Sequence, residues 1–333
     1  MNPHDPGFDH AAKLAAPVDG AAARPIHIAR GGEVRTGTAS WTDPTMVAKG
    51  VFYPDDAKNA EDRLRYYATK FPVVEVDSTY YALPREQQAK LWVERTPDAF
   101  IMDIKAHALM TGQPSEVKRL PKDIRDALPD TLKEKARIYG KDLPKELNDQ
   151  VWEMFKEGVA PLRDAGKLGA VFLQFPRWVF PSSEARDRIL DAASRLGDIP
   201  LTVEFRNGSW FNEKNAERTL RFLTDHKIPY VIVDEPQGFK SSVPPVSAVT
   251  SPELAVFRFH GRREDLWEKP NIPPNERFRY LYDEDELADW APRIAQAARA
   301  TKNVHALMNN CSGNYGTTNA LQLAELVKQY MSD

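Results

Sequence analysis

Eight short runs rich in β-branched and aromatic residues recur from Glu33 onward, and charged stretches with helical spacing lie between most of them. The runs are 33–41, 73–79, 99–107, 169–176, 201–207, 230–236, 255–262 and 305–310. Strands that alternate with helices are joined by right-handed crossovers and build a parallel sheet. Eight such units in one chain predict an α/β fold of the closed (β/α)8, or TIM-barrel, type. An open doubly wound sheet is the alternative. No Gly-x-Gly-x-x-Gly turn follows any of the runs, and no cofactor is expected.

Polarity within the runs favours closure. A parallel sheet covered by helices on both sides is apolar on both faces. Here one face is apolar, as in Val74 and Val76, Phe100, Met102 and Ile104, Val203 and Phe205, or Phe257 and Phe259. The other carries Glu75 and Asp77, Asp103 and Lys105, Gln174, Glu204 and Arg206, Asp234, and Arg258 and His260. A barrel accounts for both, with the apolar face against the helices and the polar face turned to the interior and its open end.

At 333 residues and 42% hydrophobic content the chain has ample material for a core, and we expect a single barrel domain over 33–333. Residues 1–32, rich in Ala, Pro and Gly and lacking a signal-like apolar segment, read as a disordered extension. Two long segments interrupt the rhythm. One, of about 108–167, reads as several helices inserted after the third strand. The other, about 263–284, follows the seventh strand. Loops of this length at strand ends usually cover a binding site. With 45 basic and 48 acidic residues there is no global field to draw nucleic acid or an anionic membrane. The single cysteine and the lack of a long apolar run fit a cytoplasmic protein with no membrane partner.

Six segments, "GTASWTDP" (37–44), "FYP" (52–54), "YYATKFPVVEVDSTYYALP" (66–84), "VFLQFP" (171–176), "VEFRNGSWF" (203–211) and "NNCSGNYGTTNA" (309–320), resemble in order the YecE-like proteins, domain of unknown function 72. The resemblance covers roughly 33–330 and implies a TIM-type barrel in a soluble bacterial protein. It implies no particular reaction.

In such a barrel, chemistry gathers at the C-terminal strand ends. Those ends supply the candidates for catalysis, Glu204, His260 and Lys105. They also supply the ligand-binding candidates Trp41, Thr79, Tyr80, Tyr81, Gln174, Arg206, Trp210, Asp234, Arg258, Arg262, Asn309 and Asn310. Glu204 is read as acid or base, held ionised by Arg206 on the same face. His260 is its partner, since an unperturbed imidazole titrates near neutrality. Lys105 is read as holding charge, because Asp103 beside it stabilises the ammonium. The expected ligand is a small polyhydroxylated or anionic molecule, and the expected activity is a hydrolase, isomerase or lyase working by acid–base chemistry. A metal-dependent isomerase or endonuclease-like enzyme is the alternative, with Glu75, Glu204, Asp234 and His260 as ligands. No His-x-His spacing supports it. A third reading is a non-catalytic module for nucleic acid or protein, using rim aromatics and arginines.

Overall fold

The computed structural model describes residues 23–331. Eight strands run parallel in chain order: β1 Glu33–Thr38, β2 Val73–Val76, β3 Ile101–Lys105, β4 Leu168–Gln174, β5 Leu201–Glu204, β6 Val231–Asp234, β7 Leu254–Phe259 and β8 Asn303–Met308. The main helices are α1 Ala60–Ala68, α2 Glu86–Glu94, α3 Lys145–Asp164, α4 Ser183–Leu196, α5 Ala216–Asp225, α6 Ala291–Ala300 and α7 Tyr315–Lys328. This is the α/β class of TIM-barrel type. No helix among the described residues is long and apolar enough to cross a membrane. The described residues divide into two compact units, 23–75 with 208–331, and Val76–Asn207.

In the first unit the strands pair in the order β2-β1-β8-β7-β6. The first strand of the fold lies beside the last, with Val34 opposite Val304 and Thr38 opposite Met308. That seam belongs to a ring and not to a doubly wound sheet, whose first strand sits in the middle. Asn59 starts α1 by accepting from the backbone N–H of Glu61 and Asp62, while Asp62 reaches back to Asn59, a capping box. Tyr67 on α1 is fully buried and fastens β1 to β2. Its hydroxyl accepts from Thr38 N at 2.9 Å and donates to Val73 O at 3.1 Å.

Residues 1–22, most of the expected disordered extension, lie outside the described residues. Its expected limit at residue 32 does not match the structure. Ile26–His27 forms a short strand antiparallel to β1, and Ile26 and Ile28 are buried.

In the second unit the order is β3-β4-β5, with Gln174 opposite Glu204. Ser182 caps α4, accepting from Ala185 N at 3.0 Å. The expected insertion is shorter than its sequence limits. Residues 145–164 form α3, the ordinary crossover helix before β4, and pack against α2. The segment before α3 is not purely helical. It contains two short α-helices, Lys122–Ala127 and Asp130–Lys133, three turns of 3-10 helix and a small antiparallel pair, Ser115–Glu116 with Arg137–Ile138.

Candidate functional site

The polar positions of the first unit meet across the sheet. β2 and β7 are three steps apart in pairing order, about 14 Å along a flat sheet at roughly 4.8 Å a step. Yet Arg258 Nη2 on β7 donates to Glu75 Oε1 on β2 at 2.9 Å, and Arg258 Nε lies 2.9 Å from Oε2. A bond over that span requires a curled sheet and two side chains on its concave side. Both residues are almost wholly buried, so each charge depends on the other.

The network continues to His260. Arg258 Nη2 also donates to Asn309 Oδ1 at 3.2 Å. A guanidinium only donates, so the Asn309 amide nitrogen faces the other way, 2.8 Å from His260 Nδ1. Nδ1 therefore accepts, and the neutral ring carries its proton on Nε2. The backbone sets this up: His260 N donates to Asp234 O and Asn309 N to Phe259 O, both at 2.8 Å, extending the ladders one residue past the strands. The imidazole shares a triangle of rings with Phe278 and Trp267, 5.7 Å from the first centroid and 6.3 Å from the second, which are 6.3 Å from each other.

Beside it, Asp234 at the end of β6 takes a forked contact from Arg262, whose Nε lies 3.2 and 3.1 Å from the two carboxylate oxygens. Arg262 Nη1 also donates to Glu286 at 3.0 Å, and the Tyr280 hydroxyl donates to the same oxygen at 2.6 Å. Burial pushes the Asp234 carboxyl up, against the pull of Arg262 and of the Tyr282 hydroxyl. Burial likewise raises Tyr282, whose oxygen accepts from Gly261 N at 2.8 Å.

In the second unit Glu204 is fully buried. Its Oε1 accepts from Gln174 Nε2 at 2.8 Å and from Arg206 Nη1 at 3.3 Å. The expected Glu204–Arg206 pair is present, although Arg206 lies beyond the end of β5. Thr79, Tyr80 and Tyr81 sit on a one-turn helix, Ser78–Tyr81, and not on a strand end. Thr79 Oγ1 donates to Lys105 O at 2.6 Å, and the Lys105 ammonium stands 5.3 Å from the centre of the Tyr80 ring. The Tyr80 hydroxyl donates to Gln113 at 2.8 Å, and Gln113 donates to Gln174 O at 3.1 Å. Burial pushes the Tyr80 hydroxyl up to about 12.

Several expected contributors are placed otherwise. Trp210, expected at a rim, is 1% exposed on a one-turn helix, Gly208–Phe211. Trp41 is also buried. Asn310 is fully buried and donates to Tyr280 O and Asn319 Oδ1, both at 2.8 Å, tying the loop after β7 to α7. Among the described residues, no three histidine, cysteine or carboxylate side chains gather as a metal-ligand set. Of the residues named for one, Glu75 and Asp234 are each turned to an arginine. The sequence reading missed Gln113 and Glu286, which come from a loop and from inside a short helix, where no strand parity marks them.

A family model described as "Protein of unknown function DUF72" matches residues 35–333. UPF0759 protein YunF of Bacillus subtilis (strain 168) is 30% identical over 294 residues, covering 87% of this chain and 93% of YunF. A solved DUF72 family protein from Enterococcus faecalis V583 superposes with a TM-score of 0.69 at 26% identity, over 88% of this chain and 95% of that one. Another, from Thermotoga maritima MSB8, does so with a TM-score of 0.68 at 27% identity, over 88% and 98%. These matches span nearly the whole described chain and agree with both the motif resemblance and the barrel class: the chain belongs to the DUF72 family of proteins of unknown function.

Proposed function

We propose that this protein is an enzyme that binds a small polyhydroxylated or anionic molecule at the strand ends around His260 and acts on it by proton transfer. The observation that carries the reading is the buried chain Glu75–Arg258–Asn309–His260, which orients one imidazole through three side chains. A histidine that only fills space has no use for such a chain. Ordered donors around an imidazole are what acid–base chemistry requires, because proton transfer depends on geometry before pKa. With Nδ1 accepting from Asn309, the neutral ring offers its Nε2–H as a hydrogen bond to a ligand oxygen, stabilising the charge that builds there as the ligand loses a proton. Arg262, held between Asp234 and Glu286, is the cation assigned to ligand charge.

His260→Asn tests this. It keeps an acceptor for Asn309 and removes Nε2. Melting shifts would be read with glucose, glucose 6-phosphate and ribose 5-phosphate, together with mass spectrometry of small molecules that co-purify. A compound that raises the melting temperature of the wild type should fail to do so for His260→Asn. Equal shifts in both proteins would sink the assignment of His260.

A further inference from the structure

The loop after β4 turns two rings outward. Trp178 is 54% exposed and Phe180 is 59% exposed, two residues apart. Single exposed rings are ordinary, whereas a cluster marks a binding surface. These two are not alone: with Tyr139 and Trp152 they line a hollow of about 560 Å3 within the unit Val76–Asn207. That volume falls in the range of roughly 300–1,000 Å3 typical of small-molecule sites. Trp152 is buried on α3, while Tyr139 is 37% exposed. The turn carrying Tyr139 is held close: a Cβ on Gly140 would come within 2.2 Å of Leu109 O, so only glycine lets it lie there.

We propose that this hollow is a binding cleft for a short, uncharged oligosaccharide. The face of a sugar ring carries C–H bonds and packs on a flat aromatic ring, and its edge presents hydroxyls that both donate and accept. Trp178, Phe180 and Tyr139 supply the flat surfaces. Asn148 supplies a donor and an acceptor in one group, and its side chain makes no hydrogen bond to another described residue. The lining charges cancel: Lys141 and Arg188 stand with Glu184 and Asp191. Arg188 Nη2 is already 3.2 Å from Glu184, and Asp191 2.7 Å from Arg195. A polyanion would meet those carboxylates, so the balance selects a neutral ligand. None of these residues takes part in the network around His260, and the inference stands apart from that assignment.

The test uses the full chain with maltotriose, cellotriose, xylotriose and chitotriose, each titrated to millimolar concentration by calorimetry. At least one should bind saturably, and Trp178→Ala should weaken that binding at least tenfold. Both loop rings are exposed, so Trp178→Ala and the double variant with Phe180→Ala should fold and melt as the wild type does. The proposal is overturned if no trisaccharide binds, or if the double variant binds as tightly as the wild type. It is also overturned if sedimentation finds a self-associated wild type and a monomeric double variant, which would assign the rings to contact between copies.

Discussion

At the scale of single residues, His107 connects burial to a measurable pH dependence. It follows β3 and caps a turn of 3-10 helix, its Nδ1 accepting from Leu109 N at 3.4 Å. The ring is fully buried, and its Nε2 has no hydrogen-bond partner among the described residues. Burial lowers its pKa from 6.5 to about 4. Between those values the unfolded chain binds the proton and the folded one does not. The stability tied to neutral His107 is therefore complete above about pH 6.5 and is lost as pH falls toward 4. The full loss is roughly 3 kcal/mol at about 1.4 kcal/mol per unit. His107→Asn keeps an acceptor for the turn and has nothing to titrate. Urea unfolding at pH 7 and pH 5 should show a smaller fall for the variant; parallel falls would mean that the acid sensitivity lies elsewhere. The residue itself was visible in the sequence as the last polar position of the run at 99–107, two residues beyond where β3 ends. Its isolation was not, because only the folded chain removes the water from Nε2.

At the scale of elements, the sequence resolved strand positions better than strand ends. Alternation continues past the last paired residue, so the run at 201–207 included Arg206 and Asn207, whereas β5 stops at Glu204. The same excess put Thr79 on a strand when it sits on a helical turn. Polarity records which way a side chain points; it does not record where the backbone ladder ends. Helix contacts were less legible still, and Gly158 in α3 is a case. In an exposed helix, alanine in place of glycine stabilises by about 0.5–1 kcal/mol. Here a Cβ would lie 2.3 Å from Pro84 O and 2.7 Å from its carbon, both backbone atoms. Forcing that much overlap into a packed contact costs about 1–3 kcal/mol, more than the propensity gain. Gly158→Ala should lower the melting temperature in calorimetry. A rise would show that α3 has room against the segment before α2.

At the scale of the whole molecule, the barrel class was legible because eight strand–helix units and a polar strand face leave few alternatives. The β1–β8 seam and the Glu75–Arg258 bond are the observations that decide it. The pairing of one polar residue with another was not legible, since partners such as Glu75 and Arg258 are 183 residues apart. The start of the fold was misplaced for a related reason. The stretch "RPIHIARGG" has too few apolar residues to announce a strand, yet Ile26 and Ile28 are 5% and 3% exposed, and Ile26 pairs with Val34. Burying an isoleucine is worth about 1.5–3 kcal/mol, and the two together set an upper bound of roughly twice that, since the unfolded chain already shields part of each. Two truncations separate the contributions. A chain beginning at Ala23 keeps the short strand, and one beginning at Gly31 lacks it. The second should unfold at distinctly lower urea concentration than the first, by several kcal/mol. Coincident curves would mean that the strand Ile26–His27 rests on β1 without holding it, and that the fold begins at Glu33 after all.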